Sequence, residues 1–187
     1  MESFMDDAQA VRRLKDGDIS GLEILVERYQ VKAARVAFLI THDEAAAEDI
    51  TQETFVRLFQ RIRAFDEARP FEPYLMRSIV NAALNHTRRQ KRTVSLEANT
   101  ITVERLFARA APVESLVEYG QLKHEILAAL SSLSPRQRAA IVARYYLDMS
   151  EQEMTRLLDA PRGTVKWLLS AARTRLRSLI VQQRSLE

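Results

Sequence analysis

Residues 134–179 read SPRQRAAIVARYYLDMSEQEMTRLLDAPRGTVKWLLSAARTRLRSL, and this stretch decides the fold. Ser134 with Gln137, and Ser150 with Glu153, have the spacing at which a hydroxyl and an acid or amide satisfy orphan amides at a helix start. Pro135 follows the first of these serines, at the helical position where its missing N–H costs nothing. The spacing predicts helices over about 135–147, 151–158 and 163–180. Between the last two stands only Asp159-Ala160-Pro161-Arg162, a turn short enough to force a sharp angle. Two helices joined in this way form a helix-turn-helix, whose second helix can enter the DNA major groove. Val165, Leu169, Ala172, Leu176 and Leu179 recur at steps of four and three and make that helix's core face. Its other faces carry Arg162, Thr164, Lys166, Arg173, Arg175 and Arg177, and no acid occurs from Ala160 to Leu186. One-signed charge of this kind is the footprint of phosphate contact, although charge alone fits a solvated basic helix equally well.

Outward from this stretch, the punctuation of the chain is sparse. The 187 residues contain four glycines and five prolines, and the long intervals between them are rich in Ala, Leu, Arg, Glu and Gln. These residues favour helix, and strict apolar–polar alternation is scarce, so the chain reads as all-α. Ser20 with Glu23 and Thr41 with Glu44 repeat the capping-box spacing. Residues 93–120, TVSLEANTITVERLFARAAPVESLVEYG, have only scattered apolar positions. They read as a flexible linker too long for the inside of one compact domain. The expectation is two small helical domains, 1–92 and 121–187, joined by 93–120, with the helix-turn-helix in the second.

Composition narrows the function. Hydrophobic residues make up 47% and charged residues 28%, with a net charge of +3, so the distribution of charge matters more than its sum. There is no cysteine, which excludes a disulfide framework, a thiolate metal site and a cysteine nucleophile. His42, His86 and His124 are scattered, and neither a glycine-rich phosphate loop nor a nucleophile motif occurs. We therefore expect no enzyme, no metal and no cofactor. Residues 1–13 do not resemble a secretory signal and no apolar run approaches a membrane span, so a cytoplasmic protein is expected.

Two further segments carry chemistry. Residues 41–59, THDEAAAEDITQETFVRLF, concentrate Asp43, Glu44, Glu48, Asp49 and Glu53, and no Lys or Arg lies between Val36 and Val56. On a helix Asp49, Gln52 and Glu53 project together, opposite a core side of Ile50, Leu58, Ile62 and Phe65. An acidic patch on a DNA-binding protein repels DNA and suits a basic protein partner, or else it is a solvated face that prevents self-association. Residues 65–92, FDEARPFEPYLMRSIVNAALNHTRRQKR, would place Pro73 in the first turn of a helix running to about Arg92. Leu75, Ile79, Ala83 and Ala82 face inward, whereas Arg77, Asn81, Asn85, His86, Arg88, Arg89, Lys91 and Arg92 can face out. Basic residues, amides and the nearby rings of Phe65, Phe71 and Tyr74 suit single-stranded nucleic acid, with core packing as the alternative for each ring.

Taken in order, EDITQETFVRLF (48–59), FEPYLMRSIVNAALNHTRRQKR (71–92) and GTVKWLLSAARTRLR (163–177) resemble the bacterial sigma factors of the extracytoplasmic-function class. The resemblance runs from about Gly17 to Arg177. It implies a polymerase-binding surface at Asp49, Gln52, Glu53 and Phe55. It implies −10 DNA contacts from Phe71, Tyr74, Arg77, Asn81, Asn85, Arg88, Arg89 and Arg92, with Asn81 capturing an unstacked base. It implies −35 contacts from Arg162, Thr164, Lys166, Trp167, Ser170 and Arg173. Core RNA polymerase, promoter DNA and an anti-sigma protein are the partners it implies, and it would thread the linker toward the RNA exit path.

The departures are specific. Tyr74 stands where the family usually has tryptophan, and Asn85 where it commonly has aspartate. After Lys166 the family pattern reads Ser-Arg, where this chain has Trp167-Leu168, and a further basic position is Ala171. A missing bidentate arginine forfeits about 1–3 kcal/mol of base discrimination. Trp167 and Leu168 then contact thymine methyl groups, contact a partner protein, or pack on the preceding helix. Two rival functions remain at this point: a dimeric helix-turn-helix regulator, which leaves residues 71–92 unexplained, and a sigma-like interaction protein that does not read promoters.

Overall fold

The computed structural model describes residues 6–90 and 125–184, all of their regular structure helical. The expected linker, 93–120, and Arg92 lie outside the described residues. The first half contains α1 (Asp7–Lys15), α2 (Ser20–Thr41), α3 (Glu44–Arg61), a 3-10 turn (Ile62–Ala64) and α4 (Phe71–Gln90). The second contains α5 (125–131), α6 (Pro135–Ile141) running into a π-helical turn (Val142–Tyr146), α7 (Glu151–Leu157) and α8 (Arg162–Arg184). None of the described helices is long and apolar enough to cross a membrane.

Local sequence explains most helix starts. Both capping boxes of the second half form as expected, with Gln137 N donating to Ser134 Oγ and Glu153 N donating to Ser150 Oγ, each at 3.3 Å. The two expected in the first half do not. Ser20 is already the first residue of α2 and accepts no capping bond, and Thr41 closes α2. Its hydroxyl donates back to Ala37 O at 3.0 Å, so Asp43 caps α3 instead, accepting from Ala46 N at 3.0 Å. A capping box with a carboxylate in place of the hydroxyl, Asp6 with Gln9, opens α1. Helix α4 begins at Phe71, which places Pro73 in its first turn as expected.

The first-half core is built from the apolar stripes of α2, α3 and α4, with Leu25, Ile40, Leu75, Met76, Ile79 and Val80 almost wholly buried. Helix α1 crosses α2 so closely that a Cβ at Gly21 would lie 2.2 Å from Ala10 O, and only glycine fits there. In the second half Leu127, Leu130, Leu133, Val142, Met154, Leu157, Val165, Leu169 and Ala172 close around α6, α7 and α8. The two halves touch: α6 packs against α2 and α4. Arg138, only 8% exposed, donates from Nε to Ile40 O at 2.8 Å and from Nη1 to Leu133 O at 3.2 Å. Beside it His42 ends α2 in the left-handed conformation (φ 58°). Burial, and then the Arg138 charge, push its imidazole down to about 4, so it stays neutral near neutral pH.

Candidate nucleic-acid interface

In the helix-turn-helix, the sharp turn is made possible by Asp159 in the left-handed region (φ 45°), which lets Ala160 N bond back to Thr155 O at 3.1 Å. Arg136 Nη2 donates to Leu158 O at 2.9 Å, satisfying a carbonyl at the end of α7. Arg162 Nε donates to Glu151 Oε2 at 2.9 Å and ties the start of α8 to the start of α7. That bond holds the Glu151 carboxyl below its ordinary range. Arg162, Lys166, Trp167, Ser170 and Arg173 are exposed on α8, and Thr164 is half-buried. The Trp167-Leu168 pair splits: Leu168 is in the core at 4% exposure, whereas Trp167 is 64% exposed. Packing on the preceding helix therefore accounts for Leu168 and not for Trp167.

On α4, Tyr74, Arg77, Asn81, Asn85 and Arg88 follow one another at steps of three and four and share an exposed face, with Arg89 exposed beside it. Asn85 Oδ1 accepts from Arg88 Nη2, so the amide that replaces the usual aspartate buttresses a basic side chain. Phe71 corrects the expectation of a DNA contact. It is 3% exposed and packs against Tyr29 and Phe65, each with ring centroids 5.9 Å apart, so it anchors the helix start instead. Tyr74, tilted against Phe65 with ring centroids 4.9 Å apart, is the ring that remains partly open to solvent. The loop before α4 is held in place by α1, because Lys15 Nζ donates to Phe65 O at 2.7 Å and Arg12 and Lys15 both bond Glu67. Beside this loop lies a cleft of about 820 Å³ bordered by Tyr29, Phe65, Arg69 and Glu72.

On α3, Glu48, Asp49, Gln52 and Glu53 are exposed as the spacing requires. Phe55 is the second correction: at 6% exposure it points into the core, because it lies on the Ile50–Leu58 side of the helix. The stripe instead continues into Val56, 53% exposed, and Phe59, 41% exposed. These two were missed in the sequence, although the steps 49, 52, 53, 56 already place Val56 on the acidic face. An apolar patch rimmed by charge is the composition of a protein interface.

The family models match the same helices. One for sigma-70 region 2 matches residues 25–93, and one for sigma-70 region 4 matches residues 123–176. By these two matches the chain belongs to the sigma-70 family, and by the relatives that follow to its extracytoplasmic-function class. It is 28% identical over 173 residues to the sigma factor SigW of Bacillus subtilis, covering 89% of this chain and 92% of that one. To the sigma-E factor of Escherichia coli K12 it is also 28% identical, over 181 residues, covering 92% and 93%. The fold matches the sigma factor RpoE of Bartonella quintana, solved with the anti-sigma factor NepR, with TM-score 0.65 and 22% identity over 84% of this chain and 96% of that one.

Within this sigma factor, region 2 carries the acidic face of α3 and the amide-rich face of α4, and region 4 carries α8. The exposed faces of α4 and α8 border one groove of about 730 Å³, with Asn81, Asn85 and Arg88 on one wall and Arg136 and Trp167 on the other. Trp167→Ala tests what the exposed ring does. With so little of the ring buried, folding stability should change by no more than about 0.5 kcal/mol, while affinity for −35 duplex falls several-fold. A lowered melting temperature with unchanged DNA binding would assign the ring to packing.

Proposed function

We propose that this sigma factor docks on core RNA polymerase through the exposed face of α3, with Asp49, Gln52, Glu53, Val56 and Phe59 as the contact. Domain 121–187 then sets the holoenzyme on −35 duplex through Arg162, Thr164, Lys166, Trp167, Ser170 and Arg173. Domain 1–92 holds the melted −10 strand through Tyr74, Arg77, Asn81, Asn85, Arg88, Arg89 and Arg92, and 93–120 connects the two. Asn81 carries both donors and an acceptor for the edge of an unpaired base, and the arginines on its face carry charge for backbone phosphates. The chain has no chemical step of its own. Binding energy offsets the few kcal/mol of unstacking that melting requires. An anti-sigma protein is the expected antagonist, as in the Bartonella quintana complex.

The observation that carries this reading is the separation of labour among exposed faces: acidic and apolar on α3, amide and basic on α4, basic without an acid on α8. Run-off transcription with core polymerase on a promoter library tests it. Wild type should give transcripts from an enriched −10 and −35 pair. Asn81→Ala should bind polymerase normally and lose roughly tenfold or more of those transcripts, the cost of about one charged or two neutral hydrogen bonds. Polymerase binding without transcripts from wild type would favour a sigma-like interaction protein, and no polymerase binding would favour an independent regulator.

A further inference from the structure

Tyr145 has no role in any of the contacts above, yet its placement is unusual. It is 62% exposed, on the π-helical turn that ends α6. The turn is fixed rather than frayed: Leu147 N bonds Val142 O at 3.0 Å, Met149 N bonds Ala143 O at 2.9 Å, and Arg144 Nη1 donates to Met149 O at 2.9 Å. A π turn inserts one residue into a helix and re-aims the side chains after it, a device frequent at functional sites. Here it brings the Tyr145 hydroxyl to α8, where it accepts from Arg173 Nε at 2.9 Å. The guanidinium carbon also lies 5.8 Å from the centre of the Tyr145 ring. A ring contact and a hydrogen bond to the same group leave a flexible arginine few alternative poses.

The chemistry of the pair points outward. The phenolic oxygen accepts from Arg173, so its own proton remains to be donated, while the Nη edge of the guanidinium is the one that Tyr145 does not occupy. A hydroxyl donor beside a positioned guanidinium is an acceptor-only site, suited to a phosphate oxygen. Arg173 lies on one exposed line of α8 with Lys166, Ser170 and Arg177, at steps of four, three and four. That line contains no acid to compete with a phosphate.

We propose that Tyr145 and Arg173 together form a phosphate clamp on the −35 duplex, in which Tyr145 both positions the guanidinium and donates to the phosphate that the guanidinium neutralises. The clamp rests on the assignment of α8 to −35 DNA. It ties the helix before the helix-turn-helix to the same backbone position that the recognition helix grips, and so fixes the angle at which α8 enters the groove.

The test is the salt dependence of duplex binding by the full chain, for wild type, Tyr145→Phe, Arg173→Gln, the double variant and Lys166→Gln. Arg173→Gln should lower the slope of log affinity against log salt by roughly 0.9, the release of one phosphate's counterions. Tyr145→Phe keeps the ring and should weaken binding by about fivefold, one net hydrogen bond, without changing the slope. In the Arg173→Gln background the same substitution should do nothing further, because the phosphate is no longer held. Tyr145→Phe equal to wild type, or equally harmful in both backgrounds, would sink the clamp. A changed slope for Lys166→Gln with none for Arg173→Gln would also sink it while leaving α8 on DNA. No change for either basic residue would overturn the −35 assignment itself. Both positions are exposed, and an unchanged melting temperature shows that each variant is folded.

Discussion

Exchanging Asp49 for arginine is expected to weaken binding to core RNA polymerase by roughly 100-fold, about 2.7 kcal/mol, with no change in melting temperature. The size of the effect follows from where the charge sits. Asp49 is exposed at the head of a stripe that runs through Gln52 and Glu53 to Val56 and Phe59. The apolar end of that stripe must be desolvated by the partner, so the acidic end is brought close to the partner's basic groups in a partly dry environment. There a reversed charge loses an attraction and gains a repulsion, whereas on open surface it would be screened within about 10 Å. Folding is indifferent, because the side chain lies on the solvent face of α3 and Asp43 supplies the helix cap. The control is Glu27→Arg, an exposed site on α2 with the same change in net charge. Surface titration with core polymerase should separate the two variants. Equal affinities for both would remove α3 from the docking surface.

The helix-turn-helix was readable in the sequence because its signals are local. Ser134, Pro135, Ser150 and the short turn at Asp159–Arg162 act within four residues of themselves, and α6, α7 and α8 start within one residue of the expected places. The first half was less legible where a hydroxyl had two uses. Thr41 could cap α3 or bond back into α2, and the second wins because Asp43 stands closer to the start and accepts better. Large apolar side chains were the other difficulty. Phe55, Phe71 and Leu168 have the polarity of a binding patch and the periodicity of a core, and only the packing of neighbouring helices decides between them. Tyr145 could not be found at all from spacing, because the π turn shifts its register by one residue relative to an α-helix. Arg138 is the extreme case: its bond to Ile40 O joins residues 98 apart in the chain.

Replacing that arginine should free the two halves from one another. The Arg138 guanidinium is buried with no ion pair to a described carboxylate, and burial pushes its pKa down. Its charge is offset instead by two carbonyls, Ile40 O at the end of α2 and Leu133 O after α5. Carbonyls at helix ends carry the negative end of the helix dipole, so one cation serves a helix terminus from each half. Neutral His42 beside it adds no repulsion. Arg138→Leu keeps much of the volume and removes every donor, stranding Ile40 O unless the halves part and water reaches it, at a cost of roughly 1–3 kcal/mol to the closed form. Parting bears on function because the packed halves turn Asn81, Asn85 and Arg88 toward Trp167 across a shared groove of about 730 Å³. If DNA engages only molecules whose halves have parted, its apparent affinity is set by the fraction that has parted. Arg138→Leu is expected to raise promoter affinity up to about tenfold if it removes about 1.4 kcal/mol of closure. The absence of native cysteine allows dyes at Glu27→Cys and Ser178→Cys without background labelling. The inter-dye distance should lengthen in Arg138→Leu and return toward wild type in Arg138→Lys, which restores the charge. A lengthened distance with weaker promoter binding would mean that the closed form helps recognition, and an unchanged distance would mean that the packing of α6 on α2 and α4 holds the halves together without the arginine.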